Sequence, residues 1–257
     1  MVRTAIQTSE VSIVKVLDLF AGIGGFTIGL ERAGFETAAF CEIDPYAQKV
    51  LRKNWPGVPI YDDVRTITAE RLASDGIGVD VITGGFPCQD ISVAGHKRGI
   101  EAERSGLWSE CARLLGELRP RYAIFENVTN LLNGERGAWF KRVLWDISQI
   151  GYDAEWHCIP ASELGAYHHR DRIWIVAYPK SIGLQVSNEQ HRVPQEARRQ
   201  RAILSSCDFG GRYFTDEPGM GRVANGIPNR SHRLKCLGNA VVPPIPELIG
   251  RAINGSN

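Results

Sequence analysis

The chain has 257 residues and a mass of 28.5 kDa, room for one large domain or for one domain with a small appendage. Its 43% hydrophobic and 23% charged residues, with no apolar run of 18 and no cleavable leader pattern in MVRTAIQTSE, speak for a soluble globular chain and against disordered, fibrous, secreted and membrane-spanning classes. Thirty basic against 29 acidic residues give a formal charge of +1, a total that does not signal a polyanionic partner.

Ile13 to Phe20 (IVKVLDLF) is a β-branched apolar run that stops at a glycine cluster, which predicts a buried strand. Phe26 to Ala33 has helical spacing and ends at Gly34, a fitting C-terminal cap. Thr37 to Cys41 reads as a second strand, Pro45 to Leu51 as a helix and Val79 to Thr83 as a further strand. Ser109 to Leu118 is amphipathic, Tyr122 to Phe125 strand-like, Lys141 to Ile150 helical, and Arg172 to Ala177 another buried strand. Strand and helix alternate to about residue 178, the pattern of a parallel α/β sheet with helices on both faces. Beyond Tyr178-Pro179 the pattern dissolves. Residues 181–235 are polar and punctuated by Pro194, Gly210-Gly211, Pro218, Gly219, Gly221, Gly226 and Pro228, which predicts a small irregular module. They hold nine Lys/Arg and five Asp/Glu, a local +4 that leaves −3 for the rest of the chain. Pro246 to Ile253 is a helix that starts on proline, with an apolar face to pack back on the sheet.

Four segments carry residues capable of chemistry. Asp18 to Leu30 (DLFAGIGGFTIGL) runs from strand through glycines into helix, the place where an α/β sheet holds a nucleotide-like ligand. The strict G-x-G-x-x-G dinucleotide fingerprint is not met from Gly22-x-Gly24. Glu42, 20 residues past Gly22, follows the second strand, where an acid can hold ribose hydroxyls. An adenosine cofactor and a bare tight turn fit this segment equally. In Thr83 to Gly95 (TGGFPCQDISVAG), Cys88 follows two glycines and Pro87, whose ring fixes φ just before the thiol. A thiol on a rigid turn at a strand's carboxyl end is a nucleophile candidate; the plain alternative is a glycine turn with an incidental cysteine. Phe125-Glu126-Asn127-Val128 puts an acid at another strand end, either a helix N-terminal carboxylate or a general acid in the same crevice. In His168-His169-Arg170-Asp171-Arg172 the arginines share one face of a strand, a solvated edge unless a buried carboxylate or phosphate faces them. His168 and His169 suit surface and function equally. The six cysteines, at 41, 88, 111, 158, 207 and 236, form no Cys-x-x-Cys pair, so no metal is signalled and most are expected to be reduced and buried.

Taken together and in this order, DLFAGIGGF, GGFPCQDIS, FENV, HHRDR and LGNAVVP resemble the DNA (cytosine-5)-methyltransferase family. The likeness runs from Asp18 to Pro243 and passes over residues 181–235, which in this family vary and choose the target sequence. It implies an α/β fold, the doubly wound and mostly parallel Rossmann-like sheet of S-adenosylmethionine-dependent methyltransferases. The catalytic domain would span 12–180 plus 236–254, with a small irregular target-recognition region at 181–235 and a flexible tail at 1–11. The activity implied is methyl transfer from S-adenosylmethionine to C5 of a cytosine flipped out of duplex DNA, through a covalent bond between Cys88 and C6. A protonated Glu126 would neutralise charge developing at N3, Asn127 would position that carboxyl, Arg172 would hold cytosine O2, and Arg170 would support the loop or a phosphate.

The same resemblance assigns the cosubstrate site to Phe20, Gly22, Ile23, Gly24, Ile43, Val64, Phe86 and Ala240. Within it Glu42 would take the ribose hydroxyls and Asp63 the adenine amino group, and Asn239 would complete the pocket. Pro87, Gln89 and Ser92 would touch the DNA. His168 and Cys236 stand where the family often carries Gln, and the arginine- and glutamate-bearing motif that usually precedes the C-terminal segment has no clear counterpart. The expected setting is cytoplasmic and monomeric, without metal or membrane, with a cognate restriction endonuclease as a companion at the same DNA site. Three alternatives remain: cytosine-C5 methylation of tRNA on the same fold, a non-catalytic DNA-binding protein with a degenerate site, and a nicotinamide-dependent dehydrogenase. The last leaves Phe86-Pro87-Cys88-Gln89 and Glu126 without a role.

Overall fold

The computed structural model describes residues 13–87, 106–166, 168–180 and 230–255. The expected tail at 1–11, the segment with Cys88, Gln89 and Ser92, and most of the expected recognition region lie outside the described residues. The strands are β1 (Lys15–Leu19), β2 (Glu36–Cys41), β3 (Ile60–Tyr61), β4 (Val81–Gly84), β5 (Tyr122–Val128), β6 (Tyr152–Pro160) and β7 (Asp171–Pro179). The helices are α1 (Gly25–Arg32), α2 (Pro45–Asn54), α3 (Ala69–Ser74), α4 (Leu107–Leu118), α5 (Asn130–Asn133), α6 (Ala138–Gln149), α7 (Arg230–Asn239) and α8 (Pro244–Gly255).

One seven-stranded sheet has the order β3-β2-β1-β4-β5-β7-β6. Strands β1 to β5 are parallel, whereas β7 runs antiparallel to both β5 and β6. The mostly parallel sheet expected from the alternation of strand and helix is what forms, with β6 and β7 as its antiparallel part. Residues 161–170 join these two strands without a crossover helix, and a link of that kind returns the chain alongside in the opposite sense. Strand β6 was invisible to pattern reading: YDAEWHCIP has little β-branched character, and Trp156, His157 and Cys158 are all exposed.

Alternation along the strands divides the core. Leu17, Leu19, Ile82, Phe125 and Ile175 face α4 and α6, through Cys111, Leu114, Val143 and Ile147. Val16, Val81, Ile124, Trp174 and Val176 face α1 and α8, through Phe26, Leu30, Ile249 and Ile253. The C-terminal segment packs back on α1 at very close range. A β-carbon on Gly25 would overlap the Val241 carbonyl, and one on Gly29 would overlap the Pro243 carbonyl. These contacts account for a glycine at position 29 that no dinucleotide fingerprint requires.

Three local expectations change. Strand β5 continues through Val128, so Glu126 is a strand residue and not a helix N-terminal acid. Arg170 precedes β7 with φ 41°, so it does not share a strand face with Arg172. Helix α7 runs across the boundary expected between residues 235 and 236. Among the described cysteines, all unpaired, Cys41 and Cys111 are buried as expected, but Cys236 is half-buried and Cys158 exposed.

Candidate active site

From β1 the chain winds outward through β2 and β3, then returns to place β4 on the other side of β1. At such a reversal the loops leaving neighbouring strands diverge, and the crevice between them is where open α/β sheets bind ligands. A cleft of about 790 Å³ opens at that point. The ends of β1 and β2 contribute Phe20, Gly22, Cys41, Glu42, Ile43 and Asp44 to it, and the turn after β3 adds Asp62, Asp63, Val64 and Arg65. Strand β4 leads into Gly85, Phe86 and Pro87, and β5 supplies Glu126, Asn127 and Val128. Arg170, Arg172, Gly238 and Asn239 add to the wall, with Ala47, Leu107, Asn130, Trp139, Lys235 and Cys236 around them.

The glycine turn after β1 is built from left-handed backbone: Phe20, Gly22 and Gly24 have φ of 54°, 56° and 87°. For the bulky Phe20 this is a strained geometry, concentrated at the head of the cleft. A β-carbon on Gly22 would meet nothing within 4 Å, so open space lies in front of its backbone. Glu42 braces the turn. One carboxylate oxygen accepts from Gly22 N and the other from Asp44 N, each at 2.7 Å. Asp63 accepts from Arg65 N at 3.0 Å and from its Nε at 2.9 Å, and these bonds hold its carboxyl below the usual range.

The other half of the cleft centres on Glu126. In the antiparallel register Glu126 is opposite Trp174 and Val128 is opposite Arg172, so Arg172 is a diagonal neighbour of Glu126 on one face. Arg172 Nε is 2.9 Å from Glu126 Oε1, and both side chains are largely buried. Burial pushes the Glu126 carboxyl up, against the opposing pull of Arg172 and Arg170. Asn127 faces away from that carboxyl. Its Nδ2 donates to the Phe86 carbonyl at 2.8 Å and its Oδ1 accepts from Val128 N, so it pins the Phe86-Pro87 turn instead of positioning Glu126. Arg170 donates to the carbonyls of Gly238 and Ala240. Burial and the neighbouring Arg172 lower its pKa, with Glu126 opposing. Cys41 is no rival nucleophile, because burial pushes its thiol up to about 12 and Glu42 adds to the rise.

The structure therefore brings Phe20, Gly22, Glu42, Ile43, Asp63, Val64, Phe86, Pro87, Glu126, Asn127, Arg170, Arg172 and Asn239 around one cleft. Ile23, Gly24 and Ala240 do not line it: Gly24 starts α1 against the Trp55 ring, and Ala240 offers its carbonyl to Arg170. Cys88 follows Pro87 in the chain, and it, Gln89 and Ser92 lie outside the described residues. Sequence reading missed Asp62, Arg65, Trp139 and Lys235 in the lining. Asp62 had a signal in its neighbour Asp63, whereas Trp139 reads as an ordinary apolar helix residue.

Residues 14–214 match the family model for C-5 cytosine-specific DNA methylase. The chain is 34% identical over 224 residues to Type II methyltransferase M2.BsuMI of Bacillus subtilis, which covers 84% of this chain and 55% of that relative. It is 38% identical over 209 residues to Type II methyltransferase M.Eco47II of Escherichia coli, 80% of this chain and 49% of the relative. Type II methyltransferase M.AquIA of a Picosynechococcus strain is 30% identical over 198 residues, 72% of this chain and 80% of that one. The chain spans about half the length of several curated relatives it matches. Among solved structures, the Dnmt2 methyltransferase of S. pombe superposes with a TM-score of 0.61 at 16% identity, covering 96% of this chain and 100% of that one, a likeness of fold. With the family model matched over most of its length and relatives at 30% identity or more, the chain belongs to the C-5 cytosine-specific DNA methylase family.

Proposed function

We propose that the protein transfers a methyl group from S-adenosylmethionine to C5 of a cytosine flipped out of duplex DNA. The observation that most supports this reading is the buried Glu126–Arg172 pair, in the same cleft as the pinned turn that leads directly to Cys88. C5 of cytosine is a poor nucleophile, and addition of the Cys88 thiolate to C6 makes the ring enamine-like and reactive at C5. Negative charge then develops toward N3, where a protonated Glu126 donates its proton. A carboxyl whose pKa is raised by burial suits that task. Arg172 is placed to hold O2 while keeping its contact with Glu126. Asn127 fixes the turn from which Cys88 would reach the ring, a role that replaces the one expected for it. S-adenosylmethionine, when bound, supplies the electrophilic methyl group that C5 takes up. Loss of the C5 proton to a base or water then expels Cys88 as its thiolate, and N3 returns its proton to Glu126, which restores the neutral ring.

The cleft fits that cosubstrate. Its size falls within the range of about 300–1,000 Å³ common for small-molecule sites, and the open space before Gly22 admits a ligand against bare backbone. Phe20, Gly22, Ile43, Val64, Phe86 and Asn239 would hold it, and Glu42 keeps lone pairs free for ribose hydroxyls beyond its two backbone bonds. Asp63 would accept from the adenine amino group. Duplex DNA is the proposed partner because the cytosine ring must leave the stack to reach Cys88, at a cost of roughly a few kcal/mol that phosphate and pocket contacts offset. Gln89 and Ser92 would take part in those contacts, and residues 181–235 would read the target. The type II naming of the relatives supports a companion restriction endonuclease. Among the described residues no helix is long and apolar enough to cross a membrane, and no cluster of three or more His, Cys, Asp or Glu could hold a metal.

The test is incubation with labelled S-adenosylmethionine and mixed-sequence DNA, followed by base-resolution mapping of 5-methylcytosine. Label should enter DNA at one short sequence and be lost in Cys88→Ala. Label that persists in the variant, or never enters DNA, sinks the proposal.

A further inference from the structure

The Arg170 side chain departs from what its place beside Arg172 suggested. Its Nη1 donates to the Gly238 carbonyl at 2.6 Å and its Nη2 to the Ala240 carbonyl at 2.7 Å. These two carbonyls flank Asn239, the last residue of α7 and part of the cleft wall. The last carbonyls of a helix have no partner in the helix ladder, and a guanidinium is well suited to cap them. The backbone that presents Arg170 is itself constrained, with φ 41° and with the preceding carbonyl, that of His169, accepting from Ala161 N at 2.6 Å. Arg170 Nε is buried and has no partner.

Helix α7 has little else to hold it. Leu234 and Leu237 are 42% and 54% exposed, and among the described residues no α7 side chain joins a hydrophobic core. On the α2 side it meets a ring stack between Tyr46 and His232 and a 3.5 Å ion pair between Lys235 and Asp44. Exposed contacts of this kind hold a helix only weakly. The Arg170 fork is therefore the polar link between the C-terminal end of α7 and the β5–β7 pair that carries Glu126 and Arg172, beside the packing of Val241 against α1.

We infer that Arg170 is a positioning residue that seats Asn239 in the cosubstrate pocket, and not a ligand for a DNA phosphate. Each Nη spends one of its two N–H groups on a carbonyl and Nε is closed to solvent, so the side-on Nε–Nη edge is not available to a phosphate and only the second N–H of each Nη is left for another acceptor. The inference rests on the proposed cosubstrate, so its test reads binding in the absence of DNA. Calorimetric titration with S-adenosylhomocysteine compares the wild type with Arg170→Lys and Arg170→Ala. Arg170→Lys keeps the charge but not the planar fork that spans both carbonyls, and loss of one charge-assisted hydrogen bond weakens binding about tenfold. Arg170→Ala is weaker still, and free guanidinium restores part of its affinity. Hydrogen exchange in the variants rises at residues 236–242 and stays unchanged in β1, β4 and β5. Unchanged affinity in Arg170→Lys overturns the assignment, as does a loss confined to DNA affinity and its salt dependence, or a loss of protection throughout the sheet. A wild type that binds no S-adenosylhomocysteine would instead defeat the cosubstrate reading itself.

Discussion

Asp18 offers the sharpest test of how the sheet supports the cleft. It is fully buried in β1, with one carboxylate oxygen accepting from Thr83 Oγ1 of β4 at 2.8 Å and the other from Thr27 Oγ1 of α1 at 2.9 Å. Burial pushes its carboxyl up to about 6; the two hydroxyls restrain the rise and the nearby Glu42 adds to it. In the unfolded chain the group returns to about 3.9, and roughly two pKa units at about 1.4 kcal/mol each give about 3 kcal/mol. The folded state binds this proton more tightly than the unfolded one. The contribution is therefore fully present below about pH 4 and is lost as pH rises through about 6. Asp18→Asn keeps an acceptor for one threonine, offers an N–H to the other and carries no charge at any pH. In urea denaturation it should match the wild type near pH 4 and exceed it by about 1–3 kcal/mol at pH 7.5, the lower figure allowing for poorer hydrogen bonding. A variant that is less stable than the wild type by the same amount at every pH would refute the reasoning, since the carboxylate would then be worth more as an acceptor than its burial costs.

Three further outcomes follow from the site and its packing. Glu126→Gln keeps an oxygen for Arg172 but has no proton to give, so turnover should fall by about 10²–10⁴-fold while S-adenosylhomocysteine affinity stays unchanged; activity within a few-fold of wild type would remove Glu126 as the acid. The wild-type rate should decline on the alkaline side as the raised Glu126 pKa is passed, a limb that Glu126→Gln lacks. Asn127→Ala frees the Phe86 carbonyl, so kcat should drop about tenfold for one lost hydrogen bond, with a smaller rise in KM for the cosubstrate because Phe86 also lines its pocket; a change in KM alone would contradict the turn-pinning role. Gly29→Ala drives a β-carbon into the Pro243 carbonyl and should lower stability by about 1–3 kcal/mol, read from the urea midpoint; an unchanged midpoint would mean that α8 can shift away without loss.

Local periodicity made the parallel half of the sheet readable, because β1, β2 and β4 are apolar runs closed by turn residues. The same signal failed for β6, where exposed Trp156 and His157 give no contrast between faces, and for β7 it showed a strand but not its direction. Glu42 could be placed from its distance to Gly22 because the crossover between β1 and β2 has a regular length. Arg170 could not, because a left-handed φ at a residue other than glycine leaves no mark in sequence and turns the side chain out of the alternation that Arg172 obeys. Asn127 likewise looked like a partner for Glu126, its neighbour in sequence. Adjacent residues of a strand point to opposite faces, and the pleat sends it to the Phe86 carbonyl.

Charge within the cleft follows the same division of labour. The β2–β3 end gathers Glu42, Asp44, Asp62 and Asp63 against Arg65 and Lys235, an acidic excess suited to a cationic sulfonium cosubstrate. Among the described lining residues the β5–β7 end sets Arg170 and Arg172 against Glu126, and once Glu126 takes up the proton proposed for it, that described charge becomes positive. If the DNA proposed as substrate approaches that end, protonation of the acid and attraction of the polyanion reinforce each other. Opposite fields a few side chains apart leave no trace in a total of +1. For this chain the sign of charge has meaning only at the scale of the cleft, where each end can attract a ligand that the other would repel.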